Sequence, residues 1–407
     1  MLNGAYWILN ARLETGYEYE REQVVGTSTE LFHIRIQDGS IQEIVVHTAD
    51  LADELPKHDA KGLLLLPSFK DAHIHLDKTF YGGPWRAVRP AATIFDRIEQ
   101  ERQLLPGFIS VSQERAEKLL ALLLSHGSTH VRAHVNIDPV SELHLLEATK
   151  AALNTFDGKV TGELVAFPQH GLLLSDSVAR VKEAVLNGAA FVGSVDPATI
   201  DGDMERSLQK TMEIAVETGA GIDLHVHDTG AAGLATLNRL ADLTEEAGWQ
   251  GKVTVSHAFA FATNSQEQVT GLAERFGKLD IGVTSTVPIG KLHMPIPMMD
   301  SNGVRVELGT DSVTDHWSPF GNGDNLEKVG RLAELYGFSS EFKLSQSIKY
   351  ITRGITPLDE KGKQVWPAIG DEASLVLVQA SCTAEAVARR AERRAVIHKG
   401  TLVSGAI

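Results

Sequence analysis

Between residues 64 and 311 the chain repeats one unit, a short apolar β-branched run followed by a helical stretch. The strand-sized runs are Leu64–His75, Thr129–Ile137, Val160–Phe167, Ala190–Val195, Gly221–His227, Lys252–His257, Asp280–Ser285 and Val304–Asp311. Between them, apolar residues fall at helical spacing. In Ser112–Ser125, Leu119, Leu120, Leu123 and Leu124 share one face, and Met204–Thr218 and Leu234–Ala247 repeat the pattern. Strand–helix alternation predicts a parallel sheet with helical crossovers. Eight such units suit a closed (β/α)8 TIM barrel. An open doubly wound sheet is the alternative, and the lack of a Gly-rich dinucleotide fingerprint after any of these runs counts against it.

The ends of the chain have a different rhythm. Tyr6–Leu13, Leu31–Ile36 and Ile41–Val46 are short β-like runs, with a turn at Gly39-Ser40. Ser374–Gln379 and Arg394–His398 resemble them, with Lys399-Gly400 as a turn. Head and tail are expected to pair into one small β-sandwich-like domain, residues 1–66 plus 368–407, around a hydrolase barrel of residues 67–367.

Composition limits the chemistry. With 43% hydrophobic and 22% charged residues, the chain reads as an ordinary soluble globular protein. Its formal charge of −15 argues against nucleic acid or an anionic membrane as a partner. One cysteine, Cys382, excludes an internal disulfide and a cysteine-based zinc cluster. Any metal ligands must then come from imidazole and carboxylate, and the chain has 16 histidines. Met1 to Tyr17 does not read as a signal peptide, and no apolar run reaches the ~18 residues of a spanning helix. The expected location is the cytoplasm.

Polar residues gather where the strand candidates end, which in a barrel is where the site is built. The first ends in Asp71-Ala-His73-Ile-His75, the second near Arg132-Ala-His134, and the third runs into Pro168-Gln169-His170. The fifth ends in His225-Val-His227-Asp228, the sixth in Ser256-His257, and the eighth in Thr310-Asp311-Ser312. Residues i and i+2 of a strand point the same way, so His73 and His75 can bind one cation. One of His225 and His227 supplies a third imidazole, and Asp311 a carboxylate. That set suits zinc, iron or manganese with one position left for water, whose pKa the ion lowers towards neutrality. His257 and Asp228 are the candidates for moving protons.

These ordered motifs resemble the amidohydrolase superfamily, and within it the cytosine deaminase branch, which also includes N-isopropylammelide amidohydrolase-type triazine enzymes. His73-Ile-His75-Leu-Asp77, His130-Val-Arg132-Ala-His134, Val165-Ala-Phe-Pro-Gln169, Ser256-His257 and Gly309–Gly321 carry the resemblance. It implies that His73, His75, His225 and Asp311 bind one divalent ion, that His257 lies beside the attacking water, and that Gln169 reads a small heterocyclic substrate. It also implies a homo-oligomer. The fourth strand lacks the lysine of binuclear relatives, which favours a single ion.

Two positions depart from the branch. Asp228 stands where cytosine deaminases have glutamate as proton shuttle; its alternative role is a helix N-cap. Ser312 stands where they have a second aspartate. His170 replaces a usually acidic residue and is expected to line the pocket, with Trp317 as a further substrate contact or lid. His227 is expected to stand behind the ligands, and Asp77 and Lys78 to form an ordinary ion pair at a loop start. The expected reaction is hydrolytic deamination of a cytosine-like pyrimidine, triazine or related ring by a metal-activated hydroxide. Ring opening of a cyclic amide or imide and N-dealkylation are alternatives, and a non-catalytic metal- or ligand-binding barrel is a lesser one.

Overall fold

In the computed structural model, which describes residues 4–290 and 292–407, the strands form two separate sheets. Residues 1–3 of the expected head segment lie outside the described residues. The head supplies β1 (Tyr6–Glu20), β2 (Gln23–Gln37), β3 (Ser40–Val46), β4 (Lys57–Asp59) and β5 (Leu64–Pro67). The barrel strands are β6 (Phe69–Ile74), β7 (Ser128–Asn136), β8 (Thr161–Phe167), β9 (Phe191–Val195), β10 (Gly221–His225), β11 (Val253–Ser256), β12 (Gly282–Ser285) and β13 (Val306–Leu308). The tail adds β14 (Leu375–Val378), β15 (Arg393–His398) and β16 (Thr401–Gly405).

Head and tail form one sheet in the order β16-β15-β14-β5-β1-β2-β3, with β4 also paired to β1. The seam is the antiparallel pair β5–β14, in which Leu64, Leu65, Leu66 and Pro67 face Val378, Leu377, Val376 and Leu375. The run Leu64–His75, expected as one strand, is two. Ser68 N–H donates to Ser374 O in the terminal sheet, whereas Phe69 N–H donates to Gly127 O beside the barrel. The backbone changes partners at Ser68.

β1 and β2 are longer than their apolar runs, because their polar halves reach a helix, Glu341–Ser347, instead of a hydrophobic layer. Tyr17 Oη lies 2.8 Å from Ser345 Oγ, and Thr27 Oγ1 donates to Glu341. Glu14 is buried in this arm, where burial pushes its carboxyl up to about 7 despite the Thr383 N–H it accepts. A carboxyl raised on folding stabilises fully below its ordinary pKa, and that contribution is lost as pH rises through the folded value. Glu14→Gln is therefore expected to stabilise the protein at pH 8, by up to about 3 kcal/mol, and to do little at pH 5. Denaturant titrations at the two pH values check this.

The second sheet runs β6 to β13 in order, every pair parallel. Its inner and outer faces are both covered, so the strands read as near-continuous apolar runs. Between β13 and β6 the ring is bridged by Asp311 N–H to His73 O at 2.7 Å and His75 N–H to Asp311 O at 3.2 Å. Three residues of the expected metal set thus carry the barrel's closing hydrogen bonds on their own backbone.

The loop after β6 leads into a helix, Ile94–Ile109, opened by a capping box between Thr93 and Asp96. Its buried stripe is Ile98, Glu101, Leu105 and Phe108, an apolar row with one acid in it. Met294 and Met299 pack into the barrel core. Among the described residues, no helix is long and apolar enough to cross a membrane.

Candidate functional site

The ends of β6, β10 and β11 and the residues after β13 converge on one buried cluster. His73 Nε2 and His75 Nε2 each lie 3.5 Å from Asp311 Oδ1. Ligand atoms of His73, His225 and His257 also lie within 4.8 Å of one another, as do those of His73, His134 and Asp223, so three possible metal groups among the described residues share His73. Two of these residues hold left-handed backbone that disfavours any residue but glycine: Asp311 at φ 64° and His257 at φ 69°. Asp311 is held there by the closing bonds to β6, and His257 by its N–H to Thr284 O at 2.9 Å.

Hydrogen bonds fix which imidazole nitrogen is free. His75 Nδ1–H donates to His134 O at 3.1 Å. Ser256 Oγ donates to Asp223 Oδ1 at 2.7 Å, so it accepts from His73 Nδ1–H at 2.8 Å. Asp223 is anchored in turn by Arg132 Nη1 at 3.0 Å. Nε2 of both histidines is left without its proton. His73 Nε2, both ring nitrogens of His225 and His257 Nδ1 are buried with no partner among the described residues. Burying an unpaired polar nitrogen costs about 1–3 kcal/mol. A divalent cation offsets that cost, and three imidazoles with a carboxylate are its ordinary donor set. The residues therefore fit the implied ion.

The protonation states agree. Burial pushes the imidazoles of His75, His225 and His257 well below the usual histidine range, so they are neutral and able to ligate. Ser256→Ala is expected to lower divalent-metal affinity about 10–100-fold, because such supporting bonds orient the ligand and set its tautomer. Competition against a chromophoric chelator measures this.

A cavity of about 470 Å³ opens over the cluster, lined by His75, His225, His257 and Asp311 together with Gln169, Asp228, Ser312 and Trp317. Asp228 accepts from Thr199 Oγ1 and Thr199 N–H, and burial raises its carboxyl pKa. It does not cap the next helix, whose N-cap is Thr229. Ser312 Oγ donates to Asp315 Oδ2 at 2.7 Å, and Trp317 Nε1–H donates to Glu101 Oε1 at 2.7 Å.

Three expectations need correction. His170 does not line the pocket; it is fully buried, with Nε2 3.0 Å from Glu101 Oε2. His227 does line it, stacked on His257 with ring centroids 4.3 Å apart and Nδ1 2.8 Å from Asp196 Oδ2. Lys78 is no surface partner of Asp77. Both are buried; Asp77 Oδ2 accepts Asn136 N–H, while Lys78 Nζ lies 3.1 Å from Glu101 Oε1.

Sequence reasoning missed Glu101 and Asp196. Glu101 had a signal, an acid inside the stripe Ile94, Ile98, Leu105 at helical spacing. Asp196 ends the fourth strand, the strand already noted for its missing lysine, but its pairing with His227 is non-local. β9 indeed contains no lysine.

Comparison with known proteins agrees with this geometry. Residues 116–407 match the model of the amidohydrolase family. The protein YahJ of Escherichia coli (strain K12) is 48% identical over 405 residues, 99% of this chain and 88% of that one. The solved N-isopropylammelide isopropylaminohydrolase of Burkholderia multivorans superposes with a TM-score of 0.87 at 30% identity, over 99% of this chain and 100% of that one. The 5-methylcytosine deaminase of Klebsiella pneumoniae, liganded with 5-fluorocytosine, gives 0.81 at 25% identity over 98% of each chain. By sequence, fold and the residues gathered at the barrel mouth, the chain belongs to the amidohydrolase family.

Proposed function

We propose that this enzyme hydrolyses an exocyclic C–N bond of a small nitrogen heterocycle and releases ammonia. One observation carries the reading: three neutral imidazoles, His75, His225 and His257, and the Asp311 carboxylate, with buried unpaired nitrogens, form the floor of a cavity with the volume of a small-molecule site. His73, His75, His225 and Asp311 would hold one divalent ion, zinc or iron, with manganese also compatible. When bound, the ion supplies Lewis acidity at the cavity floor.

The chain's own groups do the rest. Gln169 holds the ring, and Trp317 covers it with an apolar face. Water adds to the ring carbon that bears the amine. Neutral His257 accepts a proton from that water. The Asp228 carboxyl, on the same cavity wall, carries a proton to the departing nitrogen. The C–N bond breaks and ammonia leaves. Aspartate is one methylene shorter than the branch's glutamate, and the Thr199 hydroxyl and N–H hold it in place.

The likeness to the Burkholderia enzyme favours a second reading, release of an alkylamine instead of ammonia. Protein loaded separately with zinc and iron separates the two readings. The panel is cytosine, isoguanine, creatinine, aminotriazines, pterins and N-isopropylammelide, with His225→Ala as control. Ammonia from wild type and not from the control is the expected result. Alkylamine alone establishes dealkylation. Silence from protein that holds its metal overturns both readings and leaves ring opening or a non-catalytic barrel.

A further inference from the structure

Asp228 follows β10, and its carboxylate meets Thr199 from the loop after β9. Both residues line the cavity. Thr199 donates to both carboxylate oxygens, its hydroxyl to Oδ1 and its N–H to Oδ2 at 3.3 Å. The loop that carries Thr199 is tied to the end of β10. Asp196 N–H donates to His225 O at 3.0 Å, and Asp196 Oδ1 accepts the N–H groups of His227 and Asp228. Ile200 N–H donates to Asp196 O at 2.8 Å, which closes a turn around Thr199. Thr199 itself is exposed. Its place opposite Asp228 is therefore set by the backbone of the two loops, and its side chain fills no core position.

The two donors differ in kind. A peptide N–H only donates, so Oδ2 stays an acceptor whatever the state of Asp228. A hydroxyl holds one proton and two lone pairs. By turning about its C–O bond it donates to an ionised Oδ1 and accepts from a protonated one. Thr199 thus suits both forms of the carboxyl at Oδ1 and only the unprotonated oxygen at Oδ2. We infer that Thr199 is a positioning residue for proton transfer, which assigns the shuttled proton to Oδ1 of Asp228 and turns its hydroxyl to match each state. In each cycle an O–H bond forms at Oδ1 and breaks when the departing nitrogen takes the proton, so Asp228 ends as it began. This rests on the heterocycle reading, in which Asp228 carries that proton, and adds the residue that aims it. Burial raises the Asp228 carboxyl and the nearby Asp196 carboxylate raises it further, while the Thr199 bonds and the His227 ring lower it. Loss of the hydroxyl removes one of the lowering influences.

Thr199→Val tests it, because it keeps the N–H and the branched shape and removes the hydroxyl. The substrate is the ring of the amine-release panel that wild type turns over fastest. In this variant kcat is expected to fall about 10–100-fold with KM within about threefold. The limb of the pH–kcat profile set by Asp228 is expected to move up by about one pH unit, since the ionised carboxyl loses a donor. Thr199→Ser is expected to restore both kcat and the limb. Metal content and melting temperature are expected to match wild type in both variants. In an Asp228→Asn background, Thr199→Val is expected to cost nothing further. An unchanged kcat in Thr199→Val, an equal loss in Thr199→Ser, a fixed limb, a loss traced to metal content, or the same loss in the Asp228→Asn background overturns the inference and leaves the heterocycle reading standing. Silence of wild type on the whole panel removes the reading and the inference together.

Discussion

Asp311→Asn is expected to yield a folded protein that no longer retains its divalent ion and whose hydrolytic activity falls on the order of 10³-fold or more. Among the described residues, Asp311 is the carboxylate paired with His73 Nε2 and His75 Nε2, at 3.5 Å from each. Three imidazoles without it bind a dication in competition with its hydration. Asparagine is the informative substitute. It has nearly the same volume, it tolerates the left-handed backbone at φ 64°, and it leaves the backbone bonds to His73 and His75 in place. The melting temperature of the metal-free protein should thus change little while metal content after gel filtration drops. Full metal occupancy in this variant would remove Asp311 from the ligand set.

The largest effect on stability is expected at Lys78. Lys78→Met leaves Glu101 buried and 2% exposed without its cation, a change that costs about 3–5 kcal/mol. Glu101 is held well below its usual range because the Lys78 charge outweighs the burial that would otherwise raise it. Without Lys78, burial dominates and the folded pKa moves above the unfolded one. The variant should then be least stable at high pH and recover as pH falls and the carboxyl protonates. Lys78→Met/Glu101→Gln removes both charges and should regain most of the loss. Urea titrations of the single and double variants at pH 5.5 and 8 check all three statements. A double variant as unstable as the single one would mean that Lys78 acts through packing alone.

The barrel was legible in the sequence because its strands are covered on both faces, which makes them continuous apolar runs. The metal-competent residues were legible for a related reason. The spacing of His73 and His75 is local, and the polar residues fall where those runs stop. What escaped depends on partners distant in sequence. The run Leu64–His75 changes sheets at Ser68, because Ser374 O accepts the Ser68 N–H while Gly127 O accepts the next one, at Phe69. Lys78 and Glu101 are 23 positions apart and meet only because the helix Ile94–Ile109 folds over the barrel mouth. His170 turns away from the pocket towards that same Glu101, and His227 turns into it on Asp196, 31 positions earlier. Motif spacing identified residues that the structure gathers at the barrel mouth and left their hydrogen-bond partners open.

Anomalous diffraction from crystals of metal-loaded protein tests whether one divalent ion binds at the mouth of the barrel. The predicted result is a single peak per chain, bonded to Nε2 of His73 and His75, to His225 and to Asp311, with His257 beside it in reach of water. A second peak of equal occupancy would contradict the single-ion reading drawn from the lysine-free fourth strand. A peak elsewhere, with these nitrogens still unpaired, would contradict the site itself.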